Sequence, residues 1–91
     1  MRRFIIERDL PKIGSADQGT LKSAAQKSNG TLQELGTDIQ WVESYVAADK
    51  TFCVYLAKDE AIIREHAKRS GFPATKITEI HRMIDPTTAK S

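Results

Sequence analysis

Glu7, Glu43, Cys53, His66, Glu79 and His81 are the side chains of this chain with the chemistry to hold an ion or move a proton. Carboxylates and imidazoles bind divalent first-row metals, and beside an organic molecule the same groups act as acids and bases. No established catalytic pattern accompanies them. There is no Gly-rich phosphate loop, nucleophile elbow or Ser-His-Asp set, and no paired Cys/His spacing of the zinc-finger kind. Each candidate also has an ordinary reading. His66 on an apolar helical stripe suits a hydrogen-bonded core histidine, and His81 beside Arg82 suits a solvated side chain. Cys53 suits a small buried hydrophobe. Glu7 with Arg8, or Glu43 with Lys58, suits a surface ion pair of little energetic weight. Trp41, Tyr45 and Tyr55 suit interface packing as well as the wall of a pocket.

The elements that position these residues follow from periodicity. Ile39 to Lys58 reads as a hairpin of two alternating strands around Asp49-Lys50. In its first strand Ile39, Trp41, Glu43 and Tyr45 share one parity, and Gln40, Val42, Ser44 and Val46 share the other. A carboxylate between aromatics suits an open face, which puts the second set on the core. The returning strand splits into Phe52, Val54 and Leu56, expected in the core, and Cys53 and Tyr55, expected on the open face. A strict two-residue turn would set Tyr45 opposite Val54 and mix these faces, so a three-residue loop with a bulge is preferred.

Arg3 to Arg8 reads as a first strand, with Phe4 and Ile6 inward and Arg3, Ile5 and Glu7 outward. Leu21, Ala24, Ala25, Ser28, Leu32 and Leu35 recur at three and four residues, the stripe of a helix from about Asp17 to Leu35. Asn29-Gly30 is its weak point, where a kink is expected, and Gly36 is its cap. A second helix starts at Asp59, has Lys68 and Arg69 in its last turn and stops at Gly71-Phe72-Pro73. Its buried stripe is Ile62, Ile63, His66, Ala67 and Ser70. Lys76 to Ile84 alternates again and reads as a fourth strand, with Ile80 and Ile84 facing the helices and Glu79, His81 and Met83 on the open face. Asp85-Pro86 ends it, leaving residues 86–91 as a frayed tail after a domain of residues 1–85.

The order βαββαβ predicts an α+β, ferredoxin-like domain: a four-stranded antiparallel sheet, 4-1-3-2, with two helices on one face. The bare face, carrying aromatic, apolar and acidic groups together, suits a homodimer closed as an α/β barrel around a polar pocket. Glu43 and His81 would lie on opposite edge strands, roughly 14 Å apart, so they meet only across such a dimer or through different ends of the sheet. Glu7 with His81 or Glu79 is the more economical local cluster.

The formal charge of +2 is the small difference between 14 basic and 12 acidic residues spread along the chain. Without a polybasic block, nucleic acid is a poor partner. The first apolar run, Phe4-Ile5-Ile6, is too short for a signal peptide or a membrane span. One cysteine makes no internal disulfide, so a reducing, cytoplasmic setting is the expectation.

Thr51-Phe52-Cys53-Val54-Tyr55, Ile63-Arg64-Glu65-His66-Ala67, Gly71-Phe72-Pro73-Ala74 and the region of Glu79 resemble a family of small bacterial proteins of largely unassigned function, described by its nickel-binding members. The likeness extends over most of residues 3–85. It implies a ferredoxin-like dimer and a divalent-metal site using histidines near the end of the first strand, in the second strand and in the second helix. The matching positions here are Glu7, Glu43 and His66, and a further histidine of some members is Phe72. Carboxylates in place of imidazoles favour harder ions than Ni²⁺. Three expectations follow: a homodimer holding Ni²⁺ or a similar ion through Glu7, Glu43 and His66; a dimeric barrel enzyme or small-ligand-binding protein with Glu43 or His81 as acid/base, flanked by Trp41 and Tyr55; and a structural dimer whose open face is filled by its partner.

Overall fold

A computed structural model describes residues 1–90; Ser91, the end of the expected tail, lies outside the described residues. The elements are β1 (Arg2–Asp9), α1 (Gln18–Leu35), β2 (Ile39–Val46), β3 (Lys50–Ala57), α2 (Glu60–Ser70) and β4 (Lys76–Ile80). The strands form one antiparallel sheet in the order β2-β3-β1-β4, and the chain has the α+β, ferredoxin-like order expected of it.

Helix boundaries follow their caps. The Asp17 carboxylate accepts from the Thr20 N–H at 2.7 Å and opens α1, and Asp59 accepts from the Ile62 N–H at 3.0 Å and opens α2. Gly71 ends α2 with φ at 78°, a conformation that costs glycine nothing and other residues about 1 kcal/mol or more. Helix α1 runs through Gly30 without a break. Gly30 faces open space, with nothing within 4 Å of where a side chain would stand.

The core lies between the helices and one sheet face. Phe4, Ile6, Ile39, Cys53, Tyr55, Ala57 and Ile63 are buried there, with Leu32, Leu35, Trp41, Ile62, Ala74 and Ile77 packed around them. Burial of each of the larger side chains contributes ~1.5–3 kcal/mol.

Three face assignments made from alternation are corrected by the register. In β3 the inward set is Thr51, Cys53, Tyr55 and Ala57, and Phe52, Val54 and Leu56 are the half-exposed set. Pairing decides this: Phe4 opposes Tyr55 and Ile6 opposes Cys53, so the residues beside the inward side chains of β1 point inward too. Both parities of β3 are apolar, and alternation alone carried no sign. In β2 the bulge sits at Val42, between Trp41 and Glu43, rather than in the turn. It switches the parity, so Ile39 and Trp41 face the helices while Glu43 and Tyr45 face outward, and Tyr45 pairs with Phe52. In β4 Glu79 opposes Phe4 and falls on the helix side, while Ile80 opposes Arg3 on the open face. The strand ends at Ile80, so His81, Met83 and Ile84 are exposed beyond it. Residues 86–90, the described part of the expected tail, form an exposed 3-10 turn, and the Asp85 carboxylate accepts from the Thr87 N–H at 2.9 Å at its start.

The β1–α1 loop is tied to the β2–β3 turn. Leu10 N–H donates to the Asp49 carbonyl at 3.0 Å, Gly14 N–H to the Ala48 carbonyl at 2.9 Å and Lys12 N–H to the Asp49 carboxylate at 2.9 Å. A side chain at Gly14 would meet the Ala47 carbonyl oxygen at 2.7 Å, so this approach requires glycine. The tie fixes one end of the gap between α1 and the sheet.

Candidate functional site

The predicted metal residues fall on opposite faces of the sheet. Glu7 and Glu43 face outward. The Glu7 carboxylate stands 3.4 Å from Lys50 Nζ, and Glu43 accepts a hydrogen bond from the Tyr45 hydroxyl. That bond holds the Tyr45 proton, raising the phenol above its ordinary pKa. Glu7, Phe52 and Tyr45 form one cross-strand row and Ile5, Val54 and Glu43 the next, so β3 lies between the two carboxylates. Two strand spacings separate them, ~10 Å. Around them Ile5, Phe52, Val54, Leu56 and Ile80 are half-buried with no layer above them, and Tyr45 is 57% exposed.

His66 lies on the other side, fully buried on the inner stripe of α2. Its Nε2 shares a hydrogen bond with Ser28 Oγ of α1 at 3.1 Å, its ring leans on Tyr55 at 5.3 Å, and its Nδ1 has no partner. Burial, and then the nearby Arg8 cation, push its pKa down to about 4, against the smaller opposing effect of Ser28. The imidazole is therefore neutral at pH 7. Burial also raises Tyr55 above the usual phenol range, with Ser28 and Arg8 opposing it.

The other predicted residues are dispersed. Cys53 is buried on the helix side with its Sγ 3.6 Å from Thr51 Oγ1. Trp41 is half-buried there and donates from Nε1 to Ser44 Oγ at 2.9 Å. Glu79 accepts from Arg2 at 2.6 and 3.0 Å, and this pairing holds its carboxyl below the usual range. It does not meet Glu7, which is on the opposite face. His81 is exposed. Trp41, Cys53 and Tyr55, expected around a pocket on the open face, instead line one on the helix side.

That pocket is a cavity of about 240 Å³ between α1 and the sheet, walled on one side by the β1–α1 loop and α1 and on the other by β2 and β3. Arg8, missed as a candidate, forms part of its wall and is only 3% exposed. The parity of β1 carried the signal: the alternation that turns Phe4 and Ile6 inward turns Arg8 inward as well. Its Nη1 donates to the Pro73 carbonyl at 2.8 Å, its Cζ lies 6.0 Å from the ring centres of Tyr55 and Phe72, and its Nη2 has no partner.

This arrangement does not fit one nickel ion held by Glu7, Glu43 and His66 of the same chain. The sheet separates the imidazole from the carboxylates, and the imidazole shares its interior with a guanidinium that repels cations. Among the described residues, no three His, Cys, Asp or Glu side chains cluster for a metal. No helix among them is long and apolar enough to cross a membrane.

Comparison with solved structures gives the crystal structure of SCO4226 from Streptomyces coelicolor A3(2), with a TM-score of 0.75 and 15% sequence identity, covering 90% of this chain and 99% of that one. At that identity the likeness is one of fold. No curated protein matches the chain. The profile described as nickel responsive protein SCO4226-like matches residues 4–80, from the first core residue of β1 to the end of β4. The chain therefore belongs to the SCO4226-like family of nickel responsive proteins.

Proposed function

We propose that the protein is a cytoplasmic homodimer of the nickel response, joined through its open sheet face, and that it presents Glu7 and Glu43 of both copies to a divalent ion. The observation that carries this reading is the open face itself, where an apolar strip of Ile5, Phe52, Val54, Leu56 and Ile80 is flanked by two carboxylates. Such a strip gains from exclusion of water by a second copy, and face-to-face pairing makes the closed α/β barrel. Each carboxylate lies too far from its neighbour to chelate within one chain. A second face brings two more, whose negative charge a divalent ion offsets. Oxygen donors make the site less selective for nickel than an imidazole set. His66 has no part in it and acts as a buried link between α1 and α2.

Sedimentation equilibrium of the chelator-treated protein, with and without Ni²⁺, tests the reading. A dimer tightened by Ni²⁺, and reduced to monomer by Val54→Asp with the circular dichroism spectrum retained, is the expected result. A monomer at all concentrations, with or without the metal, would overturn it.

A further inference from the structure

We propose that the cavity between α1 and the sheet binds a small organic anion, a carboxylate on an apolar body, through Arg8. This site faces the helices and stands independently of the open-face reading above. Taking a charge out of water is costly unless partners replace the water, and buried charges are normally paired. Arg8 is buried to 3% exposure with one hydrogen bond, to the Pro73 carbonyl, and an unpartnered Nη2. Among the described residues no carboxylate lies within ion-pair distance of it. An anion is the partner that its planar fork is shaped to receive.

The rest of the cavity fixes the other half of the ligand. Apolar side chains from Leu10 to Val46 make most of its wall, and its hydroxyls, on Ser28, Ser44 and Thr51, are already paired with His66, Trp41 and Cys53, so an apolar body is favoured over a bare oxyanion such as phosphate. At about 240 Å³ it lies below the ~300–1,000 Å³ of drug-sized sites and above the ~150 Å³ cavity that admits benzene. A benzoate-sized acid matches it. A neutral molecule of that shape leaves Nη2 unsatisfied, and a cation meets the guanidinium directly.

Trp41 lines the cavity and is the only tryptophan of the chain, so its fluorescence reports occupancy. Titration with benzoate, benzyl alcohol, benzylamine and inorganic phosphate is the test, repeated on Arg8→Met and on Ala25→Leu, which adds bulk to the α1 wall of the cavity and keeps the guanidinium. Benzoate is expected to bind saturably, about tenfold or more tighter than benzyl alcohol, to lose about tenfold or more in Arg8→Met, the scale of one charge-assisted hydrogen bond, and to be weakened in Ala25→Leu by loss of the space its ring occupies. Benzylamine and phosphate are expected to give no saturable change. No response to benzoate, equal binding of benzyl alcohol, tighter binding of phosphate, or undiminished binding in Arg8→Met would overturn the proposal. Should Arg8→Met fail to fold, the ratio of benzoate to benzyl alcohol and the Ala25→Leu result still decide it.

Discussion

The two faces of this sheet are alike in composition and opposite in circumstance. The helix face carries Phe4, Ile6, Cys53, Tyr55 and Ala57 with the buried Arg8 and Thr51, and the helices cover it completely enough to bury them all. The open face carries Ile5, Phe52, Val54 and Leu56 with Glu7, Glu43 and Tyr45, and its residues remain half or fully exposed. Each face therefore mixes apolar and ionisable groups, and covering gives the same chemical types different behaviour. His66 under the helices is held neutral by burial. On the open face, among the described residues, Glu7 pairs only with the half-exposed Lys50 and Glu43 only with the Tyr45 hydroxyl, and both carboxylates keep contact with solvent. A sheet with two apolar faces and one layer of helices leaves one apolar face uncovered, which is the face the proposed dimer would close.

Truncation on each face breaks or sustains this contrast with the largest effect. Phe4→Ala, on the helix face at 1% exposure, is expected to cost ~3–5 kcal/mol in urea unfolding, a large fraction of the stability of a domain this size. Phe52→Ala, on the open face, is expected to cost about 1 kcal/mol or less in the dilute monomer and to weaken self-association instead. Equal losses in the monomer would mean that the faces are not distinct in the way described.

The next effect is pH dependence from His66. Its pKa is about 4 when folded, below the ~6.5 of an unfolded chain, so between these values the unfolded state takes up a proton that the folded state refuses. Stability is therefore full above pH ~6.5 and falls as pH drops toward 4, by ~3 kcal/mol in all from this group. Unfolding midpoints from pH 7 to 5, where few carboxylates titrate, should slope in the parent and flatten in His66→Gln. A slope that persists in the variant would locate the effect elsewhere.

What the sequence made legible was the set of elements, their order and one face of each helix. Caps at Asp17 and Asp59, stops at Gly36 and Gly71, and the stripe from Ile62 to Ser70 depend on local chemistry, which a sequence displays directly. Sidedness of the strands was legible only where one parity is plainly more apolar. It failed in β3, where both parities are apolar and the register with β1 decides, in β2, where the bulge at Val42 switches parity midway, and in β4, where the register with β1 puts Glu79 on the helix side and Ile80 on the open face. The candidate site suffered most from this. Exchanging the faces of β3 moved Cys53 and Tyr55 away from Glu43 and toward His66, and Arg8 went unnoticed because a charged residue at a strand end is ordinarily on the surface. The family resemblance, in contrast, rested on short runs in β3 and α2 and agrees with the match over residues 4–80.

The separation of the two faces is tested most directly by calorimetric titration of chelator-treated protein with Ni²⁺, using Glu43→Gln and His66→Gln beside the parent. The account predicts saturable binding that Glu43→Gln weakens by about tenfold or more, the worth of one lost carboxylate ligand, while His66→Gln binds as the parent does. Binding that His66→Gln abolishes and Glu43→Gln leaves intact would contradict it, and would place the metal under the helices rather than on the open face.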